Sequence, residues 1–136
     1  MEISILIILI LLILILFNRY QSKSVGINLD EDSFNIPGIF GLRVNYRDIY
    51  LIDRISEIPE IEIRTNGYYF RSVCKGYFIL KDIGNAYLNL NLKYPPYIRI
   101  VLKNNACIFI NLNNEKDSTE LFDNLVHMTL KKQAIS

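Results

Sequence analysis

Histidine occurs once, at His127, and cysteine twice, at Cys74 and Cys107. These scarcities exclude several kinds of site. A His-pair metal centre is impossible, and neither cysteine has a second cysteine or a histidine at ligand spacing, so no zinc site can be built. No other metal or cofactor site is expected either. Buried free thiols account for the two cysteines, since free Cys behaves as a small hydrophobe, and a disulfide between neighbouring strands is the other reading. His127 leaves one candidate general base, and no Ser, Cys or acidic motif is recognisable as its partner. No catalytic residue is expected, and the chain reads as a non-enzyme. The acidic residues Asp48, Asp53 and Asp82 lack the spacing of an ion-binding loop. Gly67, Gly76 and Gly84 read as turn or bulge glycines, because no Gly-rich stretch joins a strand to a helix to cradle phosphate.

Charge of one sign is also missing. The formal net charge is +1 over 136 residues, which gives no global attraction to nucleic acid, so no nucleic-acid partner is expected. The distribution is less even. Residues 25–62 are mostly acidic, whereas Arg64, Arg71, Lys75, Lys81, Lys93, Arg99 and Lys103 face only Asp82 within 63–110. No basic residue precedes the first apolar run, and no A-x-A type site follows it, so the flanks do not suit a cleaved signal peptide, although the run length does.

What the chain has in abundance is Ile and Leu at its start. Every residue of 3–17 except Ser4 is Ile, Leu or Phe. As a helix this run covers about 22 Å, short of a hydrocarbon core of roughly 30 Å. Met1 at one end and Asn18, Arg19 and Tyr20 at the other supply the remaining length, because Arg snorkels and Tyr favours the headgroup level. Residues 1–20 are therefore expected to form a single-pass transmembrane anchor in the cell membrane. Arg19 and Lys23 flank its C-terminal side, which predicts a cytoplasmic domain. Residues 21–24 are expected to be a linker and 25–132 a single domain.

After the linker, short apolar runs recur about every ten residues between turn signals. Strands are expected at 25–29, 34–36, 40–46, 49–55, 60–65, 72–80, 86–92, 98–103 and 106–111. The clearest alternation is Leu88, Leu90 and Leu92 against Asn89 and Asn91, which predicts one core face and one wet face. Asn66-Gly67 predicts a tight turn, and Asn104-Asn105 a two-residue hairpin loop. From Leu121 the period becomes helical, through Phe122, Leu125, Val126, Thr129 and Leu130, with Asn113 or Asn114 as the cap. The fold class is mainly β with a C-terminal α-helix, a curved sandwich or barrel behind one transmembrane helix.

That order resembles a family of small bacterial proteins in which a pleckstrin-homology-like domain follows a transmembrane helix. The resemblance covers about residues 35–126. It is carried by Pro37-Gly-Ile-Phe-Gly41, Tyr46-Arg-Asp-Ile49, Ile58-Pro59, Arg64-Thr-Asn-Gly67, Lys75-Gly-Tyr-Phe78, Gly84 and Glu120-Leu-Phe122 with Leu125. It implies two packed, curved antiparallel sheets closed at one end by the C-terminal helix. Eukaryotic domains of similar fold often bind inositol phospholipids through a basic first hairpin loop. Here Asp30-Glu31-Asp32 is acidic, so that activity is not carried over. The expected function is a membrane-anchored interaction module for a protein or peptide partner. The alternative is a sensor of anionic lipid using the basic segment 64–103, with Arg64, Tyr68, Tyr69, Arg71 and Lys75 at the bilayer. Ordinary solvated strand faces with aromatics in the core explain the same residues.

Overall fold

The structure, a computed structural model, describes residues 2–22 and 26–135. Lys23, Ser24 and Val25 lie outside the described residues, and with them one of the two orienting charges, half of the expected linker and the start of the first expected strand. The fold is mainly β, with two sheets, and a helix at each end.

Helix α1 (Glu2–Ser22) is 21 residues long, about 32 Å at 1.5 Å per residue. It continues through Gln21 and Ser22, so the first half of the expected linker is helical. The helix contains no Gly or Pro, and Leu, Arg and Gln have good helix propensity, so nothing local breaks it before Ser22. Its Glu2–Tyr20 stretch has a mean hydropathy of 2.6, and none of its residues is buried in the rest of the chain.

A small antiparallel sheet follows, of strands β1 (Asn28–Leu29), β2 (Ser33–Ile36) and β3 (Leu42–Asn45), and then a short 3₁₀ turn, Tyr46–Asp48. The large sheet holds β4 (Ile49–Ile55), β5 (Ile61–Phe70), β6 (Val73–Leu80), β7 (Gly84–Asn91), β8 (Tyr97–Leu102) and β9 (Cys107–Ile110), in the order β4-β8-β9-β7-β6-β5. All nine expected strands are present. The pairing is antiparallel except between β7 and β9, which run parallel because the β8–β9 hairpin inserts β9 between β8 and β7. The resemblance had implied antiparallel sheets throughout.

Strands β4 and β5 are adjacent in the chain yet occupy opposite edges of the large sheet. Flat, those edges would stand about 24 Å apart, whereas the six residue steps from Ile55 to Ile61 reach only about 20 Å. The sheet must therefore curl. No ladder joins β4 to β5, so it stays open, and the barrel alternative does not form.

Curling explains the two cores. On one face Tyr87, Ile98, Ile100, Ile108 and Ile110 pack against Phe34, Ile36 and Val44 of the small sheet and Leu121 and Leu125 of the last helix. On the other, Cys74, Phe78, Leu80, Leu88, Leu90 and Phe109 are buried with Ile55, Ile58 and Ile61 of the β4–β5 link packed on them. A face with no second layer reaches such burial only by folding over itself. Each fully buried Leu, Ile or Phe contributes about 1.5–3 kcal/mol. In β7 the face expected to be wet carries buried Tyr87 and half-buried Asn89 and Asn91. Asn91 is held there by Asn111, whose Oδ1 accepts from the Asn91 amide at 2.8 Å and whose Nδ2 donates to Asn91 O at 2.8 Å.

Two turn expectations change. Asn66-Gly67 lies inside β5, where Gly67 pairs with Gly76. A Cβ on Gly67 would sit 2.6 Å from Lys75 O, so the glycine permits close backbone approach and not a reversal. The reversal comes at Arg71, with φ 55°. The β8–β9 hairpin forms, but with a three-residue loop: Asn105 N donates to Leu102 O at 2.9 Å and Asn105 takes φ 70°.

Helix α2 (Glu115–Ile135) closes the small-sheet side. Asn114 caps it, accepting from Asp117 N at 2.7 Å while its Nδ2 donates to Asp117 Oδ2 at 2.8 Å. Its buried stripe is Ser118, Leu121, Leu125, Thr129 and Lys132, spaced as one helical face. Leu130, expected on that stripe, is exposed instead. Lys132 reaches Asp32 Oδ1 at 3.1 Å and Glu31 Oε1 at 3.6 Å. The acidic 30–32 turn thus holds down the end of α2.

Candidate functional site

Strand β4 pairs with β8 alone, so its other long side lies outside every ladder among the described residues. Such an edge is a template for strand addition, and proteins normally blunt it with charge or proline. Here Ile49-Tyr50-Leu51-Ile52 is apolar on both faces. The Ile49 side chain is buried, and the register slips between Ile49 and Leu51. Tyr50 and Leu51 are left outside, Tyr50 with 77% of its surface exposed.

Helix α2 runs beside this edge. Burying Leu121 and Leu125 turns Val126 and Leu130 toward β4, and Leu130 keeps 65% of its surface exposed. Between them lies a groove of about 170 Å³ lined by Tyr50, Leu51, Ile52, Val126 and Leu130. Polar contacts define its ends. Gln133 Nε2 donates to Ile49 O at 2.6 Å and to Tyr46 O at 3.2 Å, tying the last turns of α2 to the start of β4. Further along β4, the Arg54 guanidinium lies 4.7 Å over the Phe122 ring. The Thr129 hydroxyl is spent on Leu125 O at 2.7 Å. The groove therefore offers apolar side chains and a strand edge, which suits main-chain pairing with an extended peptide.

The residues expected at a lipid surface do not form one patch. Tyr68 and Lys75 are a cross-strand pair on the small-sheet face, and Lys75, with 6% exposure, is buried enough that its ammonium is pulled below the usual lysine range. Tyr69 and Arg64 pair with Cys74 and Phe78, on the opposite face; the Tyr69 ring lies 6.3 Å from that of Phe78. Arg71 sits in the β5–β6 turn with its guanidinium 5.4 Å over the Phe70 ring. Alternation separates Tyr68 from Tyr69, and a register shift between Arg64 and Asn66 turns Arg64 to the Tyr69 side. Arg19 is exposed in the last turn of α1.

Tyr68 has a role that its sequence position did not suggest. Its hydroxyl donates to Asn18 Oδ1 at 2.7 Å and its ring meets that of Phe17 edge-on at 5.9 Å, so the end of α1 is fastened to β5. The groove residues Tyr50, Val126 and Leu130 were equally unannounced. One signal did exist: four consecutive apolar residues, Ile49 to Ile52, in one expected strand, where a half-buried strand would alternate.

The remaining candidates are structural. Asp53 pairs across strands with Arg99, whose Nε donates to Asp53 Oδ1 at 2.8 Å and raises the guanidinium further. Asp82 occupies the β6–β7 turn with φ 65°. His127 is exposed on α2. Both cysteines are free thiols, and burial pushes Cys74 up to about 12. Among the described residues no cluster of His, Cys, Asp or Glu is arranged to hold a metal. Neither a family model, nor a curated protein, nor a solved structure matches the chain.

Proposed function

We propose that the chain is a membrane-tethered, non-enzymatic interaction module, in which α1 anchors the protein in the cell membrane and the β4–α2 groove takes an extended segment of a protein partner as an added strand. The observation that carries this reading is the open, apolar edge of β4 beside the exposed Leu130 of α2. The anchor rests on the length and hydropathy of α1, a test that a signal sequence near an N-terminus also passes. Arg19 and Lys23 just after the span support a cytoplasmic domain. The strands followed by a packed helix support a pleckstrin-homology-like fold, from which the parallel β7–β9 pair is a departure.

A photo-crosslinking residue at position 50 of the full chain, in the membranes where it is expressed, tests the reading. A discrete protein adduct is expected from position 50, absent from position 83, and lost when Leu51→Asp and Leu130→Asp are combined. Identical adducts from 50 and 83, or adducts indifferent to those substitutions, overturn it.

A further inference from the structure

We infer that the domain does not hang free below its helix but is seated on the bilayer, with Ile39 and Phe70 buried in the interfacial layer on either side of the point where α1 leaves the membrane. The inference rests on reading α1 as an anchor. Its starting point is the junction. Phe17, the last residue of the apolar run, touches the Tyr68 ring, and Asn18, the first polar one, accepts the Tyr68 hydroxyl. A helix that spans with residues 3–17 in hydrocarbon thus sets the headgroup level at Tyr68.

Two parts of the domain lie at that junction. On β5 the Phe70 ring is 6.5 Å from the Tyr68 ring, 44% of the residue is exposed, and the Arg71 guanidinium lies 5.4 Å over the ring. In the β2–β3 loop Gly38 stands beside the Tyr20 hydroxyl, where an added Cβ would lie 4.0 Å away. The neighbouring Ile39 is 68% exposed. That loop is fixed from behind: the Tyr87 hydroxyl donates to Phe40 O, and the Phe40 ring sits close against Gly76, next to the Tyr68 partner Lys75. A rigid loop that tucks one large apolar residue inward and turns the next outward has no packing reason for the second. The end of an apolar helix beside it supplies one. Apolar side chains at such a place enter roughly 5–10 Å into the headgroup and acyl boundary, with an Arg left among the phosphates. The surface is apolar first. The charges once expected to sense lipid are divided between two faces of the sheet.

The chain has no tryptophan, so single substitutions report cleanly. Full-length protein carrying Ile39→Trp, Phe70→Trp, Leu11→Trp or Leu130→Trp is reconstituted into vesicles of phosphatidylcholine and phosphatidylglycerol, with or without bromine high on the acyl chains. Emission from positions 39 and 70 is expected to fall about twofold or more with brominated lipid, while position 130 stays unquenched. Quenching at position 11 reports the anchor. If 11 is quenched but either 39 or 70 behaves like 130, the seating is wrong and the anchor stands. If 11 is not quenched, both fail.

Discussion

The two helices of this protein have the same length, 21 residues each, and opposite relations to the rest of the chain. Helix α1 exposes Ile and Leu on every side and meets the domain near its end, at Phe17 and Asn18. Helix α2 buries one stripe, half-buries Phe122, Val126 and Met128 beside it, and shows water its opposite face. Stripe periodicity, not apolar content, decides which helix a small β domain can bury. A helix apolar all round has no single face to offer a sheet, so its burial must come from another solvent.

The difference is broken most directly at Leu125. It is fully buried between α2 and the sheet, and Leu125→Ala is expected to cost about 2–5 kcal/mol through lost transfer energy and the cavity left behind. Urea unfolding of the full chain in mild detergent, followed by tyrosine near-ultraviolet dichroism, measures it. Leu11→Ala in α1 is expected to leave the same transition in place. A shared loss would mean that α1 packs into the domain after all. The converse change is Leu11→Arg, which costs about 2.5–3.5 kcal/mol at the centre of a span. It is expected to move the protein into the alkali-extractable fraction of membranes while the urea transition is kept.

Alkali probes the domain without touching α1. Burial, aided by Asp30, pushes Tyr46 up to about 12, and burial pushes Tyr87 up to about 12 as well. Each phenol ionises near 10 when unfolded, so the folded state holds protons that the unfolded state gives up. Their contribution is complete below pH 10 and is lost as pH rises from 10 through about 12. Burial also raises Tyr97, so tyrosinate absorbance should show Tyr46, Tyr87 and Tyr97 titrating late, with urea stability falling over that window. Early ionisation of all the tyrosines would place Tyr46 and Tyr87 in water.

Much of this contrast was legible in sequence, for physical reasons that differ by element. The strands were, because alternation and turn residues are local signals, and so was the Asn114 cap. The β7–β9 pairing was not, since which strand fills the gap between β7 and β8 is decided by tertiary packing. Asn66-Gly67 misled for a related reason: the pair has the chemistry of a turn, but Gly67 meets Gly76 across the ladder and β5 runs on to Phe70. The basic segment misled because alternation puts Tyr68 and Tyr69 on opposite faces, and a register shift between Arg64 and Asn66, which no local signal marks, turns Arg64 to the Tyr69 side. The groove was hidden because an edge strand is known as an edge only once the sheet order is known.

The junction between α1 and the domain sharpens the comparison at a smaller scale. Tyr68→Phe removes the hydroxyl that donates to Asn18 and keeps the ring against Phe17. A net loss of about 0.5–1.5 kcal/mol is expected. In a double-mutant cycle with Asn18→Ala, the second change should cost less once the first is made. Full additivity would dissolve the junction.

The smallest effect on stability, and the most informative about the two helices, is expected at Leu130. It is as apolar and as exposed as the leucines of α1, yet it sits on a helix whose other exposed positions among the described residues are polar apart from the small Ala134. Leu130→Lys replaces an exposed side chain on a helix with a good helix former, so the urea midpoint should move by less than about 0.5 kcal/mol. The crosslink from position 50 should nevertheless weaken, because the added charge lies in the groove beside Tyr50 and Val126. A destabilisation well above that bound would show Leu130 packed in solution, with the groove shut and the β4 edge covered by the chain itself. An unchanged midpoint with a lost crosslink assigns Leu130 to a partner, as the apolar surface of α1 is assigned to the bilayer.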